Sequence, residues 1–362
     1  MRHITIVAGA RPNFMKVAPL IHEIKKVKAE GVDINYALVH TGQHYDKKMS
    51  GDFFEQLNIP EPDENLSVGG GTQAQQTGAI MIRFEEHLMK NPTDVVLVVG
   101  DVTSTMACAI TAQKLQIKVA HVEAGIRSHD WSMPEEINRL LTDAITNYFF
   151  TTSEVANENL KASGYSNDQI FFVGNCMIDT LIENRPRFIQ PSIWEELGLS
   201  EKGYFIMTLH RPANVDEGAK LKELMDEIIN NTQNMPLVFP VHPRTKKVLN
   251  EMGIEHERLH MIDPMSYLEF NYLVERSFAV VTDSGGITEE TTIMGVPCLT
   301  LRDNTERPET ITIGTNELIG TDPNNIPPAM KTLFTGEWKK GGIPEMWDGK
   351  TAKRIINHLI NL

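Results

Sequence analysis

The sequence predicts an α/β protein of two doubly wound domains, each a parallel sheet with helices on both faces. Three observations predict it. Short strand-like runs alternate with longer helical patterns through most of the 362 residues. Those runs are near-continuously apolar, as strands covered on both faces are. The rhythm breaks at "IENRPRFIQPSIWEELGLSEKG" (182–203), where two prolines mark a linker. Domains are therefore expected at 1–181 and 182–350. A last helix at 351–362 can pack on either.

In the first domain the strands read "HITIVAG", "NYALVHTG", "DVVLVVGD", "KVAHVEAG", "NYFFTTS" and "IFFVGN", with helical stretches such as "NFMKVAPLIHEIKKVK" between them. The second domain repeats the scheme with "YFIMTLH", "LVFPVH", "RLHMID", "AVVTDSGG" and "PCLTLRD". Polar residues collect directly after these strands: Arg11, Gln43, His44, Asp101, Glu123, His210, His242, Asp283 and Ser284. Open parallel sheets bind ligands outside the carboxyl ends of their strands. A cleft between the two domains is the expected site.

Composition narrows the class. The net charge of −14 argues against a sequence-independent nucleic-acid binder, which needs a basic surface. No apolar run is long enough to span a bilayer, and "MRHITIVAGARP" lacks the apolar core and cleavage site of a signal peptide. Three widely spaced cysteines, Cys108, Cys176 and Cys298, form no CxxC pair and read as buried free thiols. A cytoplasmic enzyme with no membrane partner is expected.

Motifs narrow the chemistry. The first strand ends "GARPNFMK" rather than G-x-G-x-x-G, and no acidic residue follows the second where a dinucleotide ribose needs one. No P-loop, zinc-type histidine spacing or G-x-S-x-G elbow is present. What remains is metal-free chemistry on a phosphorylated ligand. "VVTDSGGITEE" (280–290) offers a seat for it. Helix N-terminal N–H groups attract anions, Gly285 and Gly286 admit a diphosphate to the backbone, and Ser284 can cap the helix. Glu290 reads as the acceptor of both ribose hydroxyls, and Glu289 as a complement to the helix dipole.

"LRDNTERPET" brings Arg302 and Arg307 to the next strand end, where Arg307 meets a phosphate, a catalytic carboxylate or a surface acid. In "PEEINRLLTDA" Glu135 and Arg139 are spaced i, i+4, as a supporting ion pair would be. Asp101 in "VVGDVTST" and Glu123 in "HVEAGIRS" directly follow apolar strands, where a carboxylate is either a cap or a base. His210 in "TLHRPANVD" opens the ligand face of the second domain.

Eight blocks in order, "GARPNFMK", "HTGQHYD", "GDVTST", "HVEAGIRS", "MPEEINR", "TLHRPANVD", "TDSGGITEE" and "RDNTERPE", closely resemble the non-hydrolysing UDP-N-acetylglucosamine 2-epimerases. The resemblance implies a GT-B-like fold, two Rossmann-like domains with the active site between them, usually in a homodimer. It implies interconversion of UDP-N-acetylglucosamine and UDP-N-acetylmannosamine without nicotinamide or metal. Asp101, Glu123 and Glu135 are then the catalytic carboxylates, with His210 near the diphosphate. It further implies Arg11 and Lys16 near nucleotide and sugar, Arg139 supporting the acids, Phe270 near uracil, and Arg307 on diphosphate or sugar. Ser284, Gly285, Gly286 and Glu290 would hold phosphates and ribose. Members activated by their own substrate use a second site in the region of Gln43, His44 and His242. Departures exist: "GARPN" stands for "GTRPE", "HRPANVD" for an "HRRE" version, and Met265 for a glutamine common near uracil.

Rival readings keep the fold and change the reaction. Relatives acting on UDP-2,3-diacetamido-2,3-dideoxy-glucuronic acid share "GARP", "HTGQH" and "PEEINR" but tend to replace the arginine of "TERPE". A hydrolysing epimerase would let water capture the glucal. A GT-B glycosyltransferase would share the "DSGG…EE" site but needs an acceptor groove, and a sugar-nucleotide sensor has no use for the acids and His210 together.

Overall fold

The computed structural model describes residues 2–42, 54–210, 218–241 and 243–362. The chain forms two compact units, Met1–Glu183 with Glu345–Leu362, and Asn184–Pro344. The first carries seven parallel strands: β1 (Arg2–Ala8), β2 (Ile34–His40), β3 (Glu64–Asn65), β4 (Val95–Val99), β5 (Lys118–Val122), β6 (Tyr148–Thr151) and β7 (Ile170–Phe172). Their order is β3-β2-β1-β4-β5-β6-β7. The sheet therefore grows outward in both directions from the neighbours β1 and β4, which is a topological switch point. Every residue of β4, "VVLVV", is buried. Branched side chains on both faces suit a strand sandwiched between helices.

The second unit carries β8 (Phe205–Thr208), β9 (Leu237–Pro240), β10 (Leu259–Ile262), β11 (Ala279–Thr282), β12 (Cys298–Thr300) and β13 (Asn316–Leu318), all parallel, in the order β10-β9-β8-β11-β12-β13. Its switch point lies between β8 and β11. The edge strands β3 and β13 are absent from the sequence reading. They are two and three residues long and carry Glu64, Asn65, Asn316 and Glu317, so only their pairing makes them strands.

After Pro344 the chain returns to the first unit. Trp347 is buried and donates its indole N–H to the Thr152 carbonyl at 3.0 Å. The Asp179 carboxylate accepts the N–H groups of Thr351 and Ala352 at 3.1 and 2.7 Å, satisfying the start of the final helix Thr351–Asn361. That helix buries Ile355, Ile356 and Leu359 and packs on the helix Arg11–Ala29. The three cysteines are free and buried. Among the described residues no helix is long and apolar enough to cross a membrane.

Candidate active site

The first unit gathers its candidate side chains where β1, β4 and β5 end. After Val99, Gly100 adopts φ = +66° and turns the chain into Asp101. Glycine is required there: the conformation is left-handed, and a Cβ would stand 3.0 Å from Lys16 Nζ and 3.8 Å from Glu123 Oε2. Asp101 Oδ2 accepts Arg139 through Nε at 3.0 Å and through a terminal nitrogen at 2.6 Å. Its Oδ1 accepts no hydrogen bond among the described residues.

Arg139 is buried, and its other terminal nitrogen donates to Glu136 Oε2 at 2.7 Å. Glu136 also accepts the N–H groups of Ser128 and His129 at 2.9 and 3.1 Å. Burial alone would raise the Glu136 carboxyl, but the hydrogen bonds from Ser128, Arg139 and His129 outweigh it and hold it below the usual range. Glu136 is thus a fixed anion that aims Arg139 at Asp101.

Glu123 follows β5 with φ = +73°, a left-handed conformation that costs a non-glycine residue about 1–3 kcal/mol and points to a functional constraint. Its buried carboxylate lies 2.6 Å from Lys16 Nζ. Asn13 shapes the adjoining loop, its Oδ1 accepting the N–H groups of Gly9 and Ala10 at 2.9 and 3.0 Å. Glu135 is half-buried in the first turn of the helix Pro134–Ala144 and has no side-chain partner among the described residues. The i, i+4 pair expected between Glu135 and Arg139 does not form. Glu136, one position on, faces the buried side of that helix and takes Arg139 instead. Arg11 opens the helix Arg11–Ala29; its side chain, and Gln43, His44 and His242, lie outside the described residues.

The second unit repeats the arrangement where β8 and β11 end. Asp283, fully buried, sits 2.7 Å from His210 Nδ1 and accepts the His210 backbone N–H at 3.0 Å. The His210 side chain is 62% exposed, so the carboxylate anchors the ring by Nδ1 and leaves Nε2 for a ligand. Ser284 occupies the N-cap of the helix Gly285–Met294, yet its hydroxyl makes no capping hydrogen bond, contrary to expectation. The turn is fixed through the backbone instead, where the Ser284 N–H donates to Thr282 Oγ1 at 3.0 Å. Among the described residues a Cβ on Gly285 would meet only an Arg302 nitrogen at 3.8 Å, so no described neighbour demands glycine there.

Glu289 departs from the dipole role expected of it. It is buried and lies 2.5 Å from Arg307 Nε, and Arg307 is equally buried, which removes the surface-pair reading. Glu290 is buried as well. Burial, reinforced by the charge of Glu289, pushes its carboxyl up to about 7 against the opposing hydrogen bonds of Tyr267 and Asn271. Phe270 is half-buried on the helix Tyr267–Arg276 and joins Met265 and Ile287 against one apolar cluster. Among the described residues no group of three or more His, Cys, Asp or Glu is placed to hold a metal ion.

A family model described as UDP-N-acetylglucosamine 2-epimerase matches residues 25–360. The chain belongs to the UDP-N-acetylglucosamine 2-epimerase family. Its fold class is accordingly GT-B-like, with two Rossmann-like units. The chain is 39% identical to a UDP-N-acetylglucosamine 2-epimerase of Methanocaldococcus jannaschii over 98% of both proteins. It is 40% identical to a UDP-2,3-diacetamido-2,3-dideoxy-D-glucuronate 2-epimerase of Pseudomonas aeruginosa over 100% of both. A crystal structure of the Methanocaldococcus jannaschii enzyme in complex with UDP-GlcNAc and UDP superposes with a TM-score of 0.88 at 38% identity, covering 99% of this chain and 100% of that one.

For a member of this epimerase family, the sequence reading missed several residues beside the candidate groups: Glu136 on Arg139, His121 on the Gly100 carbonyl with Asp143 on its other ring nitrogen, and Tyr267 and Asn271 beside Glu290. A signal for some of them exists. Glu136, Arg139 and Asp143 fall three and four residues apart, so they share one helical face, and that face is the buried one. Tyr267 and Asn271 carry no comparable signal, because only the tertiary fold brings them to Glu290.

Proposed function

We propose that this protein interconverts UDP-N-acetylglucosamine and UDP-N-acetylmannosamine. The supporting observation is the placement of Asp101 and Glu123 at neighbouring strand ends, each held by one cation, in a chain of this family. The C2 proton of the sugar has no carbonyl beside it in the ring and is a poor acid. It leaves only as the C1–O bond to UDP breaks, giving a 2-acetamidoglucal and UDP. UDP then adds back to C1 while a proton returns to the opposite face of C2. Two faces call for at least two acid–base groups, drawn from the three carboxylates Asp101, Glu123 and Glu135. Arg139 occupies Asp101 Oδ2 and leaves Oδ1 for the sugar. Lys16 pairs with Glu123 at 2.6 Å and fixes its carboxylate.

The second unit takes the leaving group. N–H groups of Gly285 and Gly286 and the Ser284 hydroxyl hold the diphosphate, Glu290 takes the ribose, and Phe270 borders uracil. Arg307, its charge shared with Glu289, borders diphosphate or sugar. His210, held by Asp283, presents Nε2 to the departing oxygen.

The test is NMR with UDP-N-acetylglucosamine in D2O. Deuterium at C2 and UDP-N-acetylmannosamine are the expected products, and Asp101→Asn should abolish the exchange while UDP affinity stays within about threefold. Normal turnover by that variant would remove Asp101 from the reaction. The likeness to the Pseudomonas aeruginosa enzyme favours a second reading, with the diacetamido-glucuronate sugar as substrate. C2 exchange on that UDP-sugar alone would select it.

The enzyme is further proposed to act as a cytoplasmic homodimer. The helix Pro134–Ala144 buries its polar side and exposes Ile137 and Leu141, while the helix Gln73–Lys90 exposes Ile82 and Met89. Burying such residues favours association, and Leu141→Asp should shift the light-scattering mass from dimer to monomer. A monomeric unmodified protein would refute this.

A further inference from the structure

Behind the carboxylates of the first unit lies a buried network that the proposed reaction leaves without a role. His121, near the end of β5, is fully buried. Its Nδ1 lies 2.8 Å from Asp143 Oδ1, and its Nε2 lies 2.8 Å from the Gly100 carbonyl oxygen. Both neighbours accept. Gly100 offers a carbonyl, and Asp143 is also bound by Arg127 at 2.7 Å and by the Gly125 N–H at 3.1 Å. Burial would raise the Asp143 carboxyl, but the hydrogen bond and charge of His121, joined by Arg127, outweigh it and hold it below the usual range. A neutral imidazole donates at one nitrogen only and would leave one of these contacts acceptor against acceptor.

We infer that His121 is a buried imidazolium and a positioning residue, pinning the Gly100–Asp101 peptide from behind. The need for a pin follows from the backbone. Glycine at φ = +66° moves between conformations at little cost. Here Gly100 is gripped on both sides: its N–H donates to the Val122 carbonyl at 3.0 Å, and its carbonyl accepts from His121. Rotation of that peptide would carry Asp101 off Arg139. The imidazolium also adds a positive charge behind Asp101 and Glu123, with Asp143 and Arg127 as its charged neighbours. The inference rests on the proposed role of Asp101, and its test separates the two.

The first measurement is the proton count of the ring. In unmodified protein labelled with nitrogen-15 histidine, NMR should reveal one slowly exchanging ring with N–H protons on both nitrogens, and Asp143→Asn should remove one of them. The second is kinetic. His121→Gln should lower kcat and C2 exchange about 100-fold, the scale of a misplaced catalytic group, with KM and UDP affinity within about threefold. A ring with a single proton, or an unchanged kcat, overturns the inference. A fully active Asp101→Asn would instead sink the reading of Asp101 while leaving the doubly protonated ring in place.

Discussion

Lowering the pH from 8 to 6 should weaken UDP binding about tenfold through Glu290 alone. Both ribose hydroxyls donate, and only the ionised carboxyl offers an acceptor oxygen to each; in the unliganded protein this carboxyl sits at about 7 rather than its ordinary 4.5. With that value the ionised fraction falls from about 0.9 at pH 8 to about 0.1 at pH 6, a cost of about 1.4 kcal/mol. The sign follows from the raised folded value: the free protein keeps a proton that binding must expel, so affinity drops as pH falls through 7. By the same linkage, the folded protein holds a proton between about pH 4.5 and 7 that the unfolded chain has lost, so stability contributed by this group declines as pH rises through that window. Calorimetric titration of UDP at pH 6, 7 and 8 reads the effect. The phosphate of UDP also titrates, but equally for all variants, so the measured quantity is the difference between unmodified protein and Glu290→Gln, which should lack the tenfold component. Tyr267→Phe removes a hydrogen bond to the carboxylate and should shift the midpoint upward. Parallel pH curves for the unmodified and Gln proteins would refute the reasoning.

Two further outcomes follow from buried contacts. Arg307→Ala leaves the Glu289 carboxylate buried without its cation and should cost about 3–5 kcal/mol by urea denaturation, with part recovered on adding Glu289→Gln; a loss below about 1 kcal/mol contradicts the pair. Gly100→Ala forces a side chain into a left-handed site and against Lys16 Nζ, so it should cost about 1–2 kcal/mol and lower C2 exchange without changing UDP affinity, as paired melting and exchange measurements would register.

The fold class was readable because its cause is local. Apolar runs such as "VVLVV" have no other stable place than a doubly covered strand, and the residues after them inherit the carboxyl end of the sheet. Asp101, Glu123, His210 and Ser284 were located for that reason. Partners were harder. The spacing of Glu135 and Arg139 suggested a pair, but helical periodicity says which residues share a face and not which face is buried. Glu289 and Arg307 lie eighteen positions apart, and no local rule links them. Ser284 held the capping position without the capping bond, and the Thr282 hydroxyl fixes the same turn from the preceding strand.

The excursion of the chain through Asn184–Pro344 before it returns with Trp347 has a consequence for synthesis. Domains usually mature on the ribosome in the order they emerge. Here the later lobe is finished first, while the earlier one waits, with the seat for Trp347 and the final helix still empty. Deleting the last eighteen residues would therefore injure the half of the protein made first, and a nascent chain stalled just before them should offer chaperones an apolar patch that the released protein hides.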